Sequence, residues 1–192
     1  MTKTETTKTE TNRTEAAGGA EGAGGRPGGP GALSGLELLL AERACERLVL
    51  ELVRRLDLGE PGTVAELFTP DGVWEWAHDD RRVEGREALR AYFGSRPPDR
   101  LSRRMCTNIL VDVHGPDEAS ATTYFATYRV DGWTEGLLVP PRLPANVGHY
   151  EDAFRRVDGV WLLSKRTLIL PFGGPTERLR PQDGTSRATR TA

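Results

Sequence analysis

Residues 66–76, Glu-Leu-Phe-Thr-Pro-Asp-Gly-Val-Trp-Glu-Trp, decide the fold, because the spacing of apolar side chains changes within them. Upstream, Leu38, Ala41, Cys45, Leu48, Leu52 and Leu56 recur every three or four positions, with Glu42, Arg43, Glu46, Arg47, Glu51 and Arg54 between them. That is the period of an amphipathic helix. Ser34-Gly-Leu-Glu37 has the form of a capping box at its start, and Gly59-Glu-Pro-Gly62 stops it near Leu58. Thr63-Val-Ala-Glu66 repeats the capping-box form and predicts a short helix through Phe68, ended by Thr69-Pro70-Asp71-Gly72. From Val73 to Ala77 the period falls to two, which predicts a strand with Trp74 and Trp76 on one face.

After the polar turn at His78–Asp80, a short strand carries Arg82-Val83-Glu84. Gly85 then leads into a helix over 86–94, with Ala88, Leu89, Tyr92 and Phe93 on one side, and Pro97-Pro98 breaks it. The remainder reads as four long strands, about 101–113, 118–131, 147–157 and 160–170. Asp158-Gly159 between the last two is the strongest hairpin signal in the chain. The Gly/Pro-rich loop 132–146 carries Trp133, Leu137, Leu138 and Leu143, too apolar for a free loop, and reads as a cover for a pocket. Helices first and long antiparallel strands after them make an α+β plan, and a bent sheet wrapped on helices leaves a cavity at its open end.

The ends of the 192-residue chain have a different character. Residues 1–15 hold no large apolar side chain after Met1, and 16–31 hold eight glycines, so 1–31 reads as a disordered tail. The domain is expected over 32–172 and a second flexible tail over 173–192. Net charge is -2, and the stretch 32–172 holds 18 basic against 22 acidic residues, the wrong sign for a nucleic-acid-binding face. No apolar run could serve as a signal peptide or span a bilayer, so neither a membrane nor nucleic acid is the expected partner and the expected location is the cytoplasm. The two cysteines, Cys45 and Cys106, give no metal-ligand spacing, and no glycine loop follows a strand to cradle a phosphate.

Several blocks taken together resemble the SnoaL-like branch of the nuclear-transport-factor-2-like superfamily. They are Leu56-Asp57, Glu66–Trp74, Val83-Glu-Gly-Arg-Glu-Ala-Leu89, Thr107-Asn-Ile-Leu-Val-Asp112 and Gly148–Trp161, in the family's order. The resemblance implies a cone of helices closed by a curved antiparallel sheet around a small-molecule pocket. Members include polyketide cyclases, ketosteroid isomerases, scytalone-type dehydratases, dioxygenase β subunits and plain binding proteins. It therefore implies either a cofactor-free lyase, isomerase or cyclase acting on a carbonyl-bearing substrate, or a non-catalytic binding or assembly module. A homodimer formed through the sheet is expected on the same ground.

The catalytic candidates are Asp57, His149 and Arg104. Asp57 matches an Asp that dehydratases place at the end of the first helix. A negative charge there opposes the helix dipole and asks for a reason other than capping. Proton abstraction beside a carbonyl needs a carboxylate made more basic than usual, which burial supplies. His149 is the histidine placed within a strand; His78 and His114 fall in turns. Arg104 stands where the dehydratase pattern wants a histidine, which counts against a His-borne proton and for a clamp on an enolate or carboxylate. The substrate-binding candidates are Trp76, which the resemblance places in the pocket, Asn108, Tyr128, Tyr150 and Asp152. Asn108 is a mid-strand amide on the predicted face of Arg104 and Cys106, and Tyr128 alternates with Thr127. Tyr150 and Asp152 form the family's Tyr-x-Asp pattern, with Arg166 a ready partner for the carboxylate. Each also has a plain structural reading, as packed aromatic, paired charge or exposed strand residue.

Overall fold

A computed structural model describes residues 33–180, so the tail expected over 1–31 and the end of the one expected over 173–192 lie outside the described residues. The first helix, α1 (Gly35–Leu58), starts as anticipated. The Ser34 hydroxyl accepts the Glu37 N–H at 3.3 Å while Glu37 accepts the Ser34 N–H at 2.8 Å. Its buried stripe is Ala41, Cys45, Val49, Leu52 and Leu56. Leu38 lies outside that stripe and Leu48 at its edge, a small rotation of the predicted face.

Residues Pro61–Leu67 form a 3-10 helix rather than the capped α-helical turn expected. The Thr63 hydroxyl donates back to the Glu60 carbonyl at 2.6 Å, and Glu66 binds Arg55 at 3.0 Å instead of closing a box. Seven strands follow in a sheet: β1 (Phe68–Trp76), β2 (Arg81–Glu84), β3 (Leu101–Val113), β4 (Glu118–Asp131), β5 (Asn146–Val157), β6 (Val160–Gly173) and β7 (Glu177–Arg178), with α2 (Arg86–Gly94) between β2 and β3. The order is β2-β1-β6-β5-β4-β3, and β7 adds to β4. All pairings are antiparallel except β1–β6 and β4–β7. The β1–β6 pair joins the first long strand to the last, a connection the sequence does not announce because its crossover is most of the domain.

The packed region runs beyond 172. β7 pairs with β4 and Leu179 is buried, so residues up to Leu179 belong to the domain instead of a tail. Asp158, in the left-handed region at φ 50°, and Gly159 make the tight β5–β6 turn that their identities predict. Among the described residues no helix is long and apolar enough to cross a membrane. Cys45 and Cys106 are both free thiols. The helices lie on the inner side of the sheet, where α1, Trp74, Leu89, Phe93, Phe125, Tyr150, Phe154 and Leu163 form one core.

Candidate active site in the open end of the cone

Beside that core the sheet and α2 leave a cavity of about 290 Å³, of the order that holds a small organic molecule. Its walls come in two chemical kinds. Six aromatic residues line it: Trp74 and Trp76 from β1, Tyr92 and Phe93 from α2, Phe125 from β4 and Tyr150 from β5. Five arginines join them: Arg81, Arg96, Arg100, Arg104 and Arg129. No lining residue is a carboxylate or a histidine.

Sheet register explains the lining. Arg104 on β3 stands opposite Thr127 on β4, and Thr127 opposite Asn146 on β5, so one row across the sheet delivers three lining residues. The next row inward is Cys106, Phe125 and Gly148. Phe125 lies flat on Tyr150, ring centroids 4.3 Å apart and planes 16° from parallel. The far face of Tyr150 takes the Arg166 guanidinium at 4.3 Å, and Trp74 meets Phe93 edge-on at 5.1 Å.

Asp57 ends α1 against the inner side of β3, its side chain 5% exposed. One of its carboxylate oxygens accepts the backbone N–H of Arg104 at 2.6 Å. The other accepts the Arg104 guanidinium and the Ser102 hydroxyl. Ser102 in turn accepts an N–H of Arg96 at 2.7 Å, and Arg96 also donates to the Leu56 carbonyl at 2.9 Å, meeting one of the carbonyls left open at the end of α1. The dipole objection to an acidic residue at a helix C-terminus is thus answered by three donors and a neighbouring arginine. Asp57 does not itself line the cavity; Arg104 and Leu56 do.

Tyr150 lies wholly within the core wall, and burial pushes its phenol up to about 12, so it stays a neutral donor. Beneath it Asp152 and Arg166 make a fully buried bidentate pair, at 2.6 and 2.5 Å. Burial works against the Arg166 charge, but Asp152 outweighs it and the net shift holds the guanidinium protonated. Asp152 faces the interior as its pattern suggested, as the partner of Arg166, and neither residue reaches the cavity.

The other candidates sit elsewhere. Trp76 lines the cavity, with the Arg81 guanidinium 4.6 Å above its ring. Tyr128 and Tyr124 point from the opposite, outer face of β4, where they are exposed; the inward face is Phe125, Thr127 and Arg129. His149 shares that outer side, its ring 6.2 Å from Tyr124 and its Nε2 3.7 Å from Glu151. Asn108 is exposed in a bulge of β3 between Thr107 and Leu110, at φ 51°. Asn tolerates that left-handed conformation, and the extra residue turns it off the face of Arg104. Arg96 and Arg129 also line the cavity, and neither is among the candidates the sequence offers. A strand or turn arginine ordinarily reads as solvated, and only Arg129's place two residues from Thr127 on the inward face could have pointed to it.

Of loop 132–146 only Asn146, already the first residue of β5, lines this cavity, and the rest does not roof it. Trp133 donates to the Leu137 carbonyl at 2.9 Å, and Val139, Pro140, Pro141 and Arg142 cover a second hollow of about 320 Å³ against Leu101, Arg103 and Tyr128. The roof of the arginine-lined cavity is the end of α2 and the turn after it: Tyr92, Phe93, Ser95, Arg96 and Pro97.

These features define a nuclear-transport-factor-2-like cone with a pocket at its open end. A family model described as a SnoaL-like domain matches residues 37–167, and the chain belongs to that family. Solved structures agree on the fold. A putative scytalone dehydratase from Novosphingobium aromaticivorans is similar at TM-score 0.60 and 21% identity, over 81% of this chain and 98% of that one. A nuclear-transport-factor-2-like protein with a cystatin-like fold, from the same organism, is similar at 0.59 and 20%, over 72% and 87%. A type 2 hexachlorocyclohexane dehydrochlorinase, LinA, is similar at 0.60 and 17%, over 78% and 99%. No curated protein matches in sequence.

Proposed function

We propose that this protein is a cofactor-independent lyase, isomerase or cyclase acting on a carbonyl-bearing small molecule held against the aromatic wall. The observation that carries the reading is the Asp57–Arg104 pair, 47 residues apart in sequence, with Arg104 in the cavity wall and Asp57 directly behind it. The SnoaL-like family has isomerases, dehydratases and cyclases among its members, and two of the similar structures bear names of eliminating enzymes.

In this account Arg104 is the group that meets the substrate. A guanidinium fixed by a carboxylate presents its remaining N–H donors in one direction, suited to a carbonyl oxygen that gains negative charge. Asp57, directly behind Arg104, takes the proton by way of one cavity water: the C–H bond next to the carbonyl breaks, its proton passes to the water as the water's own passes to Asp57, its electron pair moves to the oxygen as an enolate, and Arg104 holds that oxygen. Arg104 is shared between the two, so the clamp on the substrate oxygen is held in place by the carboxylate behind it. Return of the proton at another carbon gives an isomerase, and loss of a β-leaving group gives a lyase. Tyr150, a neutral phenol, adds a donor to the same wall.

The test is deuterium uptake from D2O into 2-tetralone, a bicyclic ketone with acidic C–H bonds, followed by NMR. The protein accelerates exchange over buffer, and Asp57→Asn and Arg104→Gln each remove the acceleration. A second reading, ligand binding without turnover, rests on the lack of any carboxylate or imidazole among the lining residues. Saturable 2-tetralone binding with exchange at the buffer rate selects it.

A further inference from the structure

Three of the five cavity arginines have carboxylate partners: Arg81 with Asp79 at 3.2 Å, Arg100 with Asp131 at 2.7 Å, and Arg104 with Asp57. Arg96 and Arg129 have none among the described residues. Arg96 is spread over two carbonyls and the Ser102 hydroxyl. The Nε of Arg129 is buried without a hydrogen-bond partner, and so are the indole nitrogens of Trp74 and Trp76 in the same cavity wall. Every one of these unmatched groups is a donor. Buried donors in native proteins are almost always met, so their number and common sign describe the molecule that fits. An uncompensated positive charge in the wall of a pocket asks for an anion.

We propose that the pocket takes an aromatic carboxylate, its rings against Trp76 and Tyr92, the two aromatic lining residues that are not fully buried, and its anionic group received by Arg129 and Arg96. This deepens the reading under Proposed function by naming the substrate class. Arg100 and Arg104 stand near enough to disfavour the charge of both, and Arg129 adds to the effect on Arg96. Burial first, and then neighbouring arginines, lowers the pKa of both. An entering carboxylate relieves that repulsion, and the planar fork of a guanidinium matches its two oxygens. A neutral isostere supplies acceptors but no charge, and so forfeits the larger part of the gain.

Binding is read by quenching of tryptophan fluorescence, since Trp74 and Trp76 line the cavity. The probes are 2-naphthoate, 2-naphthyl phosphate and the neutral 2-naphthamide. The expected result is 2-naphthoate tighter than 2-naphthamide by about tenfold or more. Arg129→Gln removes most of that ratio and changes the affinity for the amide less than about twofold. Arg96→Gln, checked for folding by circular dichroism, lowers the ratio in the same direction. Equal affinity for acid and amide, a ratio unchanged in Arg129→Gln, or no binding of either at millimolar probe overturns the proposal. Tighter binding of the phosphate than of the carboxylate overturns the assignment of the acid class. Failure here leaves Arg104-dependent exchange of neutral 2-tetralone standing, and failure of that exchange leaves the acid-to-amide ratio standing, so the two readings fall separately.

Discussion

Asp57 grips Arg104 at both ends, accepting its backbone N–H at 2.6 Å and its guanidinium as well. A residue at the end of α1 thereby fixes the one arginine that is both ion-paired to that helix and open to the cavity.

Asp57→Asn retains the shape and removes the charge that orients Arg104. On the catalytic reading it lowers kcat on the true substrate by about 10²-fold or more, and it lowers the thermal midpoint too, because the Arg104 guanidinium loses its charged partner. Steady-state kinetics beside a melting curve measures both, and an unchanged kcat removes Asp57 from the mechanism.

The Asp152–Arg166 pair is a fully buried, directly opposed cross-strand couple. Asp152→Ala strands a buried guanidinium and costs about 3–5 kcal/mol in urea unfolding. Replacing both partners by apolar residues, Asp152→Leu with Arg166→Met, returns most of that loss. A single mutant as stable as the parent would show that Arg166 reaches solvent.

Tyr150 gives the pH dependence. Its pKa is raised by burial from 10.0 to about 12, so the folded protein holds a proton that the unfolded chain releases. Stability from this group is therefore whole below about pH 10 and is lost as pH rises through 12. Ultraviolet titration of the four tyrosines is expected to show one ionising last, and Tyr150→Phe removes that step.

Gly148 stands where β5 and β6 shift register, and a Cβ there would lie 2.1 Å from the Ile169 carbonyl oxygen. Because the obstacle is backbone, Gly148→Ala forces the two strands apart and costs about 3 kcal/mol. Denaturant melts check it, and a neutral effect would place the β5–β6 pairing in doubt.

Much of the fold was legible in the residues themselves. Alternation over 101–113 and 118–131, the Asp158-Gly159 turn and the Pro97-Pro98 break all lie where the structure has them. Asp57 and Arg104 were legible through resemblance, and their contact follows from α1 packing on β3. Alternation names two faces of a strand without saying which is concave. On β4 both Tyr124/Tyr128 and Phe125/Thr127 fit a pocket wall, and tertiary packing chose the second. One bulge at Thr107–Leu110 likewise displaced Asn108, because a single added residue reverses every side chain beyond it. Arg96 and Arg129 gave no local signal, since a buried arginine is spelled like an exposed one.

The most direct test is a crystal structure of the protein soaked with 2-naphthoate. The rings are expected against Trp76 and Tyr92, with the carboxylate within hydrogen-bond distance of Arg129 or Arg96 and an edge of the ligand facing Arg104. Ligand bound instead on the outer sheet face beside Tyr128 and His149, with the arginine-lined cavity empty, would contradict the proposal.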